Sequence, residues 1–141
     1  MRERFLIAAG ATGGVFSYAF GGWDAAIQAL LVLMAVDYIS GLVLAGVFKK
    51  SPKSECGGLC SSIIRKGLVK KCMMLLMVAV GFQVDAVVGT NIVRYGVIFA
   101  FIVNELISLT ENAGLMGVPI PSALKQAIDI LKSKGGIKDE P

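Results

Sequence analysis

The chain has 141 residues, of which 55% are hydrophobic and only 17% are charged, and its formal net charge is +4 at pH 7. A soluble domain has about 45–50% apolar and about 25% charged residues. With a mean hydropathy of +0.74, this composition argues against a soluble helical domain and favours a membrane protein with apolar helices that cross the bilayer.

The first apolar tract, residues 5–23, is rich in glycine. In lipid, small residues at four-residue spacing let two helices approach closely. We interpret the tract as an uncleaved first span, with a poorly formed or interfacial helix as the alternative. The candidate helix-packing residues along it are Ala9, Gly10, Gly13, Gly14, Ser17 and Gly21.

The second tract, residues 25–48, is long enough to span a bilayer. Asp37 lies near its middle, followed by Ser40 and the candidate packing residue Gly41. A carboxylate at bilayer depth is costly and rarely faces lipid. Asp37 is therefore expected to face another helix or water.

A basic segment, residues 49–71, follows this second tract. Pro52 and two glycines predict a loop, and residues 59–71 predict a short basic helix near the surface. The positive-inside tendency places the segment in the cytoplasm, in contact with anionic lipid. Because it lacks interleaved aromatic residues, we expect no nucleic-acid partner. The residues assigned to topology and lipid contact are Lys49, Lys50, Arg65, Lys66, Lys70 and Lys71.

Two further tracts, residues 72–88 and 95–112, complete the predicted spans. The last one ends in a series of polar residues. Glu105, Ser108 and Asn112 are spaced i, i+3 and i+7, so they share one helix face. That face is expected either to line a pore between subunits or to hold helices of one subunit together. The candidate polar residues are Asp37, Ser40, Asn104, Glu105, Ser108, Glu111 and Asn112.

The carboxyl-terminal part of the chain is different in character. Glycines and prolines break the helix after residue 112, and residues 122–132 show helical spacing of apolar residues. We therefore predict an all-α membrane protein with about four transmembrane helices, three being possible. Residues 1–121 form its transmembrane domain, and residues 122–141 form a cytoplasmic amphipathic helix and polar tail. Four spans place both termini in the cytoplasm.

Residues that usually bind metals are scarce. The chain has no histidine and three cysteines, Cys56, Cys60 and Cys72. A structural zinc site needs four ligands, commonly cysteine and histidine. We expect no metal and no cofactor, and interpret the cysteines as loop or packing residues.

Several of these motifs together resemble the phage holin and toxin-secretion holin family of Gram-positive bacteria. The resemblance covers residues 34–132. It is carried by Asp37-Tyr38-Ile39-Ser40-Gly41, by Lys66-Gly67 and Lys70-Lys71, by Asp85, by Asn104-Glu105 through Glu111-Asn112, and by Gly117-Val118-Pro119-Ile120-Pro121.

The resemblance implies a protein of the bacterial cytoplasmic membrane that is not an enzyme. Such a protein self-associates and opens a lesion through which an endolysin or a large toxin leaves as cargo, without stable binding. Two alternatives stay open: an antiholin or membrane scaffold of the same fold, and a small proton-coupled transporter that uses a membrane carboxylate.

Overall fold

The computed structural model describes residues 1–50, 52 and 61–134, and its regular elements are all helical. Within these residues, five α-helices follow one another, with a π-helical turn at Leu44–Phe48 directly after the second. The all-α prediction is confirmed. The helices are α1 (Arg2–Phe20), α2 (Ala25–Val43), α3 (Ser61–Val88), α4 (Ile92–Leu115) and α5 (Ser122–Lys134).

Three of the helices are long and apolar enough to cross a membrane: α2 with its π-turn, α3 and α4. They contain 24, 28 and 24 residues, which is about 36, 42 and 36 Å of helix at 1.5 Å per residue. A hydrocarbon core is about 30 Å thick. These helices contain the predicted spans at residues 25–48, 72–88 and 95–112.

The predicted first span, α1, forms as a helix but is not among these three. Charged residues fill its first turn, and it ends at Phe20 rather than continuing to residue 23. The uncharged part, from Phe5 to Phe20, extends only about 24 Å. By length and apolar composition, the helices of the described residues therefore fit the alternative of three spans.

The core lies around α4, which packs against α2, α3 and α5. Each helix contributes apolar side chains at helical spacing, so one continuous face of each is buried. The α3–α4 contact is close because Gly81 of α3 is buried, and an added Cβ there would lie 3.3 Å from Cα of Arg94. The buried core residues include Ile27, Leu30, Met34, Met74, Val78, Ile98, Ile102, Val103 and Leu106.

The third helix begins earlier than the sequence indicated. We expected a loop and a separate basic surface helix before residue 72, but residues 61–71 form the first part of α3 itself. Good helix formers with no proline or turn signal at the junction allow the helix to continue. Cys72 is exposed on α3, whereas Cys56 and Cys60 lie outside the described residues.

The first helix contacts the rest of the molecule mainly at its end. None of its residues is buried, and a Cβ added at Gly10, Gly13 or Gly14 would meet nothing within 4 Å. The expected small-residue packing is thus not made within the described part of the chain. Gly21 is different: its φ is +78° and the ring of Phe82 lies directly against it.

The predicted amphipathic helix is α5, which extends to Lys134. Its Ile128 is buried, and Leu124 and Leu131 pack against the core. The apolar face of α5 therefore covers α4 of the same chain. The predicted polar tail beyond residue 134 lies outside the described residues.

Candidate functional site

A cluster of polar side chains joins α2, α3 and α4 inside the bundle. Lys71 Nζ donates to Asp37 Oδ2 at 2.9 Å and also to Glu105 Oε2. Asn112 Nδ2 donates to Ser40 Oγ at 2.9 Å and to Asp37 Oδ1 at 3.3 Å. We call Asp37, Ser40, Lys71, Glu105 and Asn112 the inner cluster.

Helical periodicity places the charged members of this cluster on the core faces of their helices. In α2, Asp37 follows the buried residues Leu30 and Met34 at helical spacing. Glu105 likewise follows Ile98 and Ile102 in α4. Each carboxylate therefore continues the apolar stripe of its helix, and packing of the stripes brings the two together.

Lys71 occupies the matching position on α3. It precedes the buried Met74 and Val78 by three and seven residues, so it lies on the same face. We assigned Lys71 to lipid contact, but its side chain is only 13% exposed and ends between the two carboxylates. Its spacing from Met74 and Val78 was the signal in the sequence for this inward position.

Burial decides what the inner cluster can do. Asp37 and Glu105 are 6% and 2% exposed. Ions in such surroundings are tolerated only when paired and hydrogen-bonded, and removal of one partner leaves an uncompensated charge. The cluster is thus a polar contact that holds three helices together while Lys71 remains in place.

A cavity of about 360 Å³ adjoins the inner cluster between α2, α3 and α4. Asp37, Lys71, Glu105 and Asn112 of the cluster line it, together with residues from all three helices. The other lining residues are Tyr38, Gly41, Leu42, Ile63, Lys66, Gly67, Lys70, Asn104 and Ser108.

The candidate polar residues fall into two groups. Asp37, Ser40, Glu105 and Asn112 meet in the inner cluster, and Ser108 lies half-buried at the cavity. Asn104 is exposed at the cavity edge, and Glu111 is exposed outside it. Within one chain, Asp37, Ser40, Glu105 and Asn112 make contacts between helices. A pore-lining role for this face stays a prediction.

The remaining basic residues of the segment do not enter the inner cluster. Arg65, Lys66 and Lys70 are exposed on α3, and Lys49 and Lys50 are exposed after the π-turn. Their exposure is compatible with a role in topology and lipid contact, which stays a prediction. Of the candidate packing glycines in the spans, Gly41 lines the cavity close to Asn112.

A second polar cluster, which we did not predict, lies at the other end of the bundle. Arg94 is buried and donates through Nε to the Phe20 carbonyl, through Nη1 to Asp24 Oδ2 (both 2.6 Å) and through Nη2 to the Gly22 carbonyl. Tyr95 Oη donates to Asp24 Oδ2 at 3.0 Å. We call Asp24, Asp85, Arg94 and Tyr95 the outer cluster.

Asp85 and Asp24 each cap a helix in this outer cluster. Asp85 accepts from the backbone N–H groups of Val93 and Arg94, at 3.0 and 2.7 Å, which start α4 and have no partner within the helix. Asp24 accepts from the Ile27 N–H at 3.0 Å and so caps α2. Partial burial opposes its ionisation, but hydrogen bonds from Arg94, Ile27 and Tyr95 hold the pKa of Asp24 below its usual value.

Together, the fold and the two clusters define a small helical membrane protein with three long apolar helices and a buried charge cluster between them. A family model for bacteriophage holins matches residues 14–133. The chain belongs to the bacteriophage holin family, which confirms the resemblance seen in the sequence.

Individual relatives agree with this assignment. The chain is 40% identical over 129 residues to an uncharacterised protein of Listeria innocua, covering 91% of this chain and 86% of that protein. It is 37% identical to an uncharacterised protein of Clostridium perfringens, covering 89% of each. It is also 29% identical to a protein of Bacillus phage phi105 named a probable holin, covering 81% of this chain and 79% of the relative. No solved structure matches the chain.

Proposed function

We propose that this protein is a holin that self-associates in the bacterial cytoplasmic membrane and opens a lesion for an endolysin or a large protein toxin. Family membership and the phage relative named a probable holin support this function. The observation that carries it is the inner cluster, which buries two carboxylates and a lysine between spanning helices. The protein has no catalytic role in this proposal.

The cluster supplies the two conditions that a lesion-forming protein needs. In a single chain, Lys71 satisfies Asp37 and Glu105, so the bundle can accumulate in lipid without exposing a charge. When copies assemble, the same polar groups can turn toward water shared between subunits, where ionised side chains are no longer costly. Rearrangement of α2, α3 and α4 around Lys71 is then the step that opens the lesion.

The proposed topology follows the basic residues. Lys49, Lys50 and the first part of α3 lie on the cytoplasmic side, and α5 lies there after α4 has crossed. Arg2 and Arg4 keep the amino terminus on the same side, with α1 as a short fourth span that thins the bilayer locally. The variant Glu3→Cys, in a chain whose native cysteines are replaced by serine, tests this orientation. A membrane-impermeant thiol reagent should not label the variant in intact cells.

Expression in a bacterium tests the proposed function. Induction together with a cytoplasmic endolysin should give abrupt lysis and release of a cytoplasmic reporter protein, and induction without endolysin should stop growth without clearing the culture. Delayed lysis beside a second holin would instead indicate an antiholin. Dye efflux from intact, viable cells would favour the proton-coupled transporter, for which the cavity with two carboxylates would be the substrate site.

Thiol labelling tests the opening step. In the cysteine-free background, Ser108→Cys places a thiol at the cavity, and Val80→Cys places one on an exposed apolar face of α3. We expect a water-soluble reagent to modify residue 108 only after membranes become permeable, and residue 80 at no stage. Lack of reaction at residue 108 in the permeable state would contradict a water-filled path along this face.

A further inference from the structure

The cavity beside the inner cluster has two lysines that the cluster does not use. Lys66 and Lys70 line the cavity but are exposed and form its rim, whereas Asp37 and Glu105 are buried and Lys71 is half-buried at its floor. The residues of α3 at the cavity are spaced i, i+3, i+4, i+7 and i+8, so they form one face of the helix. Neither rim lysine forms an ion pair with the described residues.

The charges of the cavity indicate the charge of its ligand. Among the residues that the structure describes, three lysines and two carboxylates line it, and together these carry a single positive formal charge. An anion with one negative charge complements this positive charge. A phosphate diester has one negative charge, and the rim lysines Lys66 and Lys70 can hold it. The floor carboxylates accept hydrogen bonds, so the ligand should carry hydroxyl donors beyond its phosphate.

The location of the cavity indicates a lipid rather than a soluble ligand. The cavity opens between α2, α3 and α4, the three candidate spans. Leu42 and Ile63 form an apolar part of its wall. Lys66 and Lys70 lie in the basic first part of α3, which the proposed topology places on the cytoplasmic side. Basic pockets between spanning helices on this side bind anionic lipid headgroups, and about 360 Å³ is within the usual range of ligand pockets, about 300–1,000 Å³.

We propose that this cavity binds the headgroup of phosphatidylglycerol. The phosphate lies between Lys66 and Lys70, and the glycerol hydroxyls point to Asp37 and Glu105. A zwitterionic lipid such as phosphatidylethanolamine has no net charge, so it complements the single positive charge of these residues less well. The bound lipid contacts all three spanning helices, so it adds to the stability of the closed bundle. The inference is independent of the proposed lytic function, and its test involves no lysis.

Native mass spectrometry of the purified full-length protein tests lipid binding. The probes are phosphatidylglycerol, phosphatidylethanolamine with the same acyl chains, and glycerophosphoglycerol, the soluble headgroup without acyl chains. We expect the wild-type protein to prefer phosphatidylglycerol. The double variant Lys66→Gln/Lys70→Gln should weaken its binding by about tenfold or more.

The matched control is Lys50→Gln/Arg65→Gln, which removes two exposed basic residues that do not line the cavity. Any headgroup contact made by Lys50 and Arg65 is solvent-exposed and screened by salt, so this pair should leave the affinity for phosphatidylglycerol within about twofold. An equal loss of phosphatidylglycerol affinity in both double variants would show diffuse attraction by surface charge and overturn the proposal. Equal binding of phosphatidylglycerol and phosphatidylethanolamine by the wild-type protein would overturn it too. Displacement of the lipid by an equal concentration of glycerophosphoglycerol would assign the site to a soluble ligand instead.

A second measurement uses the unaltered chain, so it does not depend on how a variant folds. Phosphatidylglycerol with a photoactivatable group on its headgroup is incorporated into vesicles with the protein and illuminated. Crosslinks should concentrate on Ile63, Lys66, Asn104 and Ser108 at the cavity. Crosslinks of similar yield at Lys50 and Arg65 would contradict a defined headgroup site.

Discussion

The inner and outer clusters both bury charge, but they use it differently. In the inner cluster, a single lysine nitrogen joins two carboxylates from two other helices, next to a cavity. In the outer cluster, Arg94 bonds two backbone carbonyls and one carboxylate, and Asp85 caps the helix that carries Arg94.

This difference separates a movable contact from a fixed one. A lysine is a flexible point charge that can exchange partners, whereas an arginine holds a planar set of donors in one geometry. The outer cluster also includes backbone groups, which cannot move unless the helix ends move. The inner cluster is therefore suited to rearrangement, and the outer cluster keeps the turns between helices in place.

The largest expected effect comes from removing the shared cation of the inner cluster. Lys71→Met leaves Asp37 and Glu105 buried without a counter-charge, which should destabilise the bundle by about 3–5 kcal/mol. Thermal unfolding in nanodiscs, followed by circular dichroism, measures the loss. Lys50→Met, which removes an exposed lysine, is the matched control and should be neutral.

A rescue variant shows whether charge is the cause. Adding Asp37→Asn and Glu105→Gln to Lys71→Met removes all three charges, and most of the lost stability should return. If the triple variant is as unstable as Lys71→Met alone, packing rather than charge explains the loss.

The second effect concerns the outer cluster. Arg94→Gln removes the donor to the Phe20 and Gly22 carbonyls and the charge partner of Asp24, with a cost of about 2–3 kcal/mol. Asp24 keeps its hydrogen bonds from Ile27 and Tyr95. Arg94→Lys keeps the charge but loses the planar set of donors, so it should recover only part of that cost. Full recovery with lysine would show that the outer cluster is no more geometrically specific than the inner one.

Neutralising one carboxylate of the inner cluster should have a smaller effect. In Glu105→Gln, the side-chain amide oxygen can still accept from Lys71, so the stability loss should be about 1 kcal/mol. The weaker contact should make the bundle open sooner, and lysis after induction should come earlier than in the wild type. Unchanged timing, equal to that of the exposed Glu3→Gln control, would show that charge at residue 105 has no part in opening.

The smallest effect is expected from pH at the outer cluster. Because the pKa of Asp24 is lowered in the fold, its contribution to stability is present above the ordinary aspartate pKa of about 3.9 and is lost only as pH falls through the lower folded value. Between pH 5 and 8 the difference in unfolding midpoint between the wild type and Asp24→Asn should stay constant. A decrease in that difference already at pH 5 would contradict this assignment.

Local pattern was enough to predict much of the fold and part of the site. The apolar tracts gave the three long helices, and apolar spacing gave α5. Periodicity placed Glu105 and Asn112 on one face, and the cost of a carboxylate in lipid required Asp37 to be sheltered. These conclusions depend only on neighbours along one helix.

Contacts between distant segments were beyond such reasoning. Lys71 is 34 residues from both Asp37 and Glu105. A lysine at the end of an apolar tract is compatible with a lipid contact as well as with an ion pair between helices. Arg94 meets Phe20 and Asp24 only because the α1–α2 turn lies over the start of α4. The small residues of α1 predicted packing, but a pattern of that kind does not say which partner provides it.

The contacts of α1 with the rest of the bundle lie at its carboxyl-terminal end. Gly21 has a backbone conformation that side chains resist, and a Cβ there would come within 2.4 Å of the Phe82 ring, so only glycine fits this point. Phe16 and Phe20, near the end of α1, also pack against the core, whereas residues 2–15 are exposed. The apolar surface of this exposed part of α1 is therefore available to lipid or to another protein in the membrane.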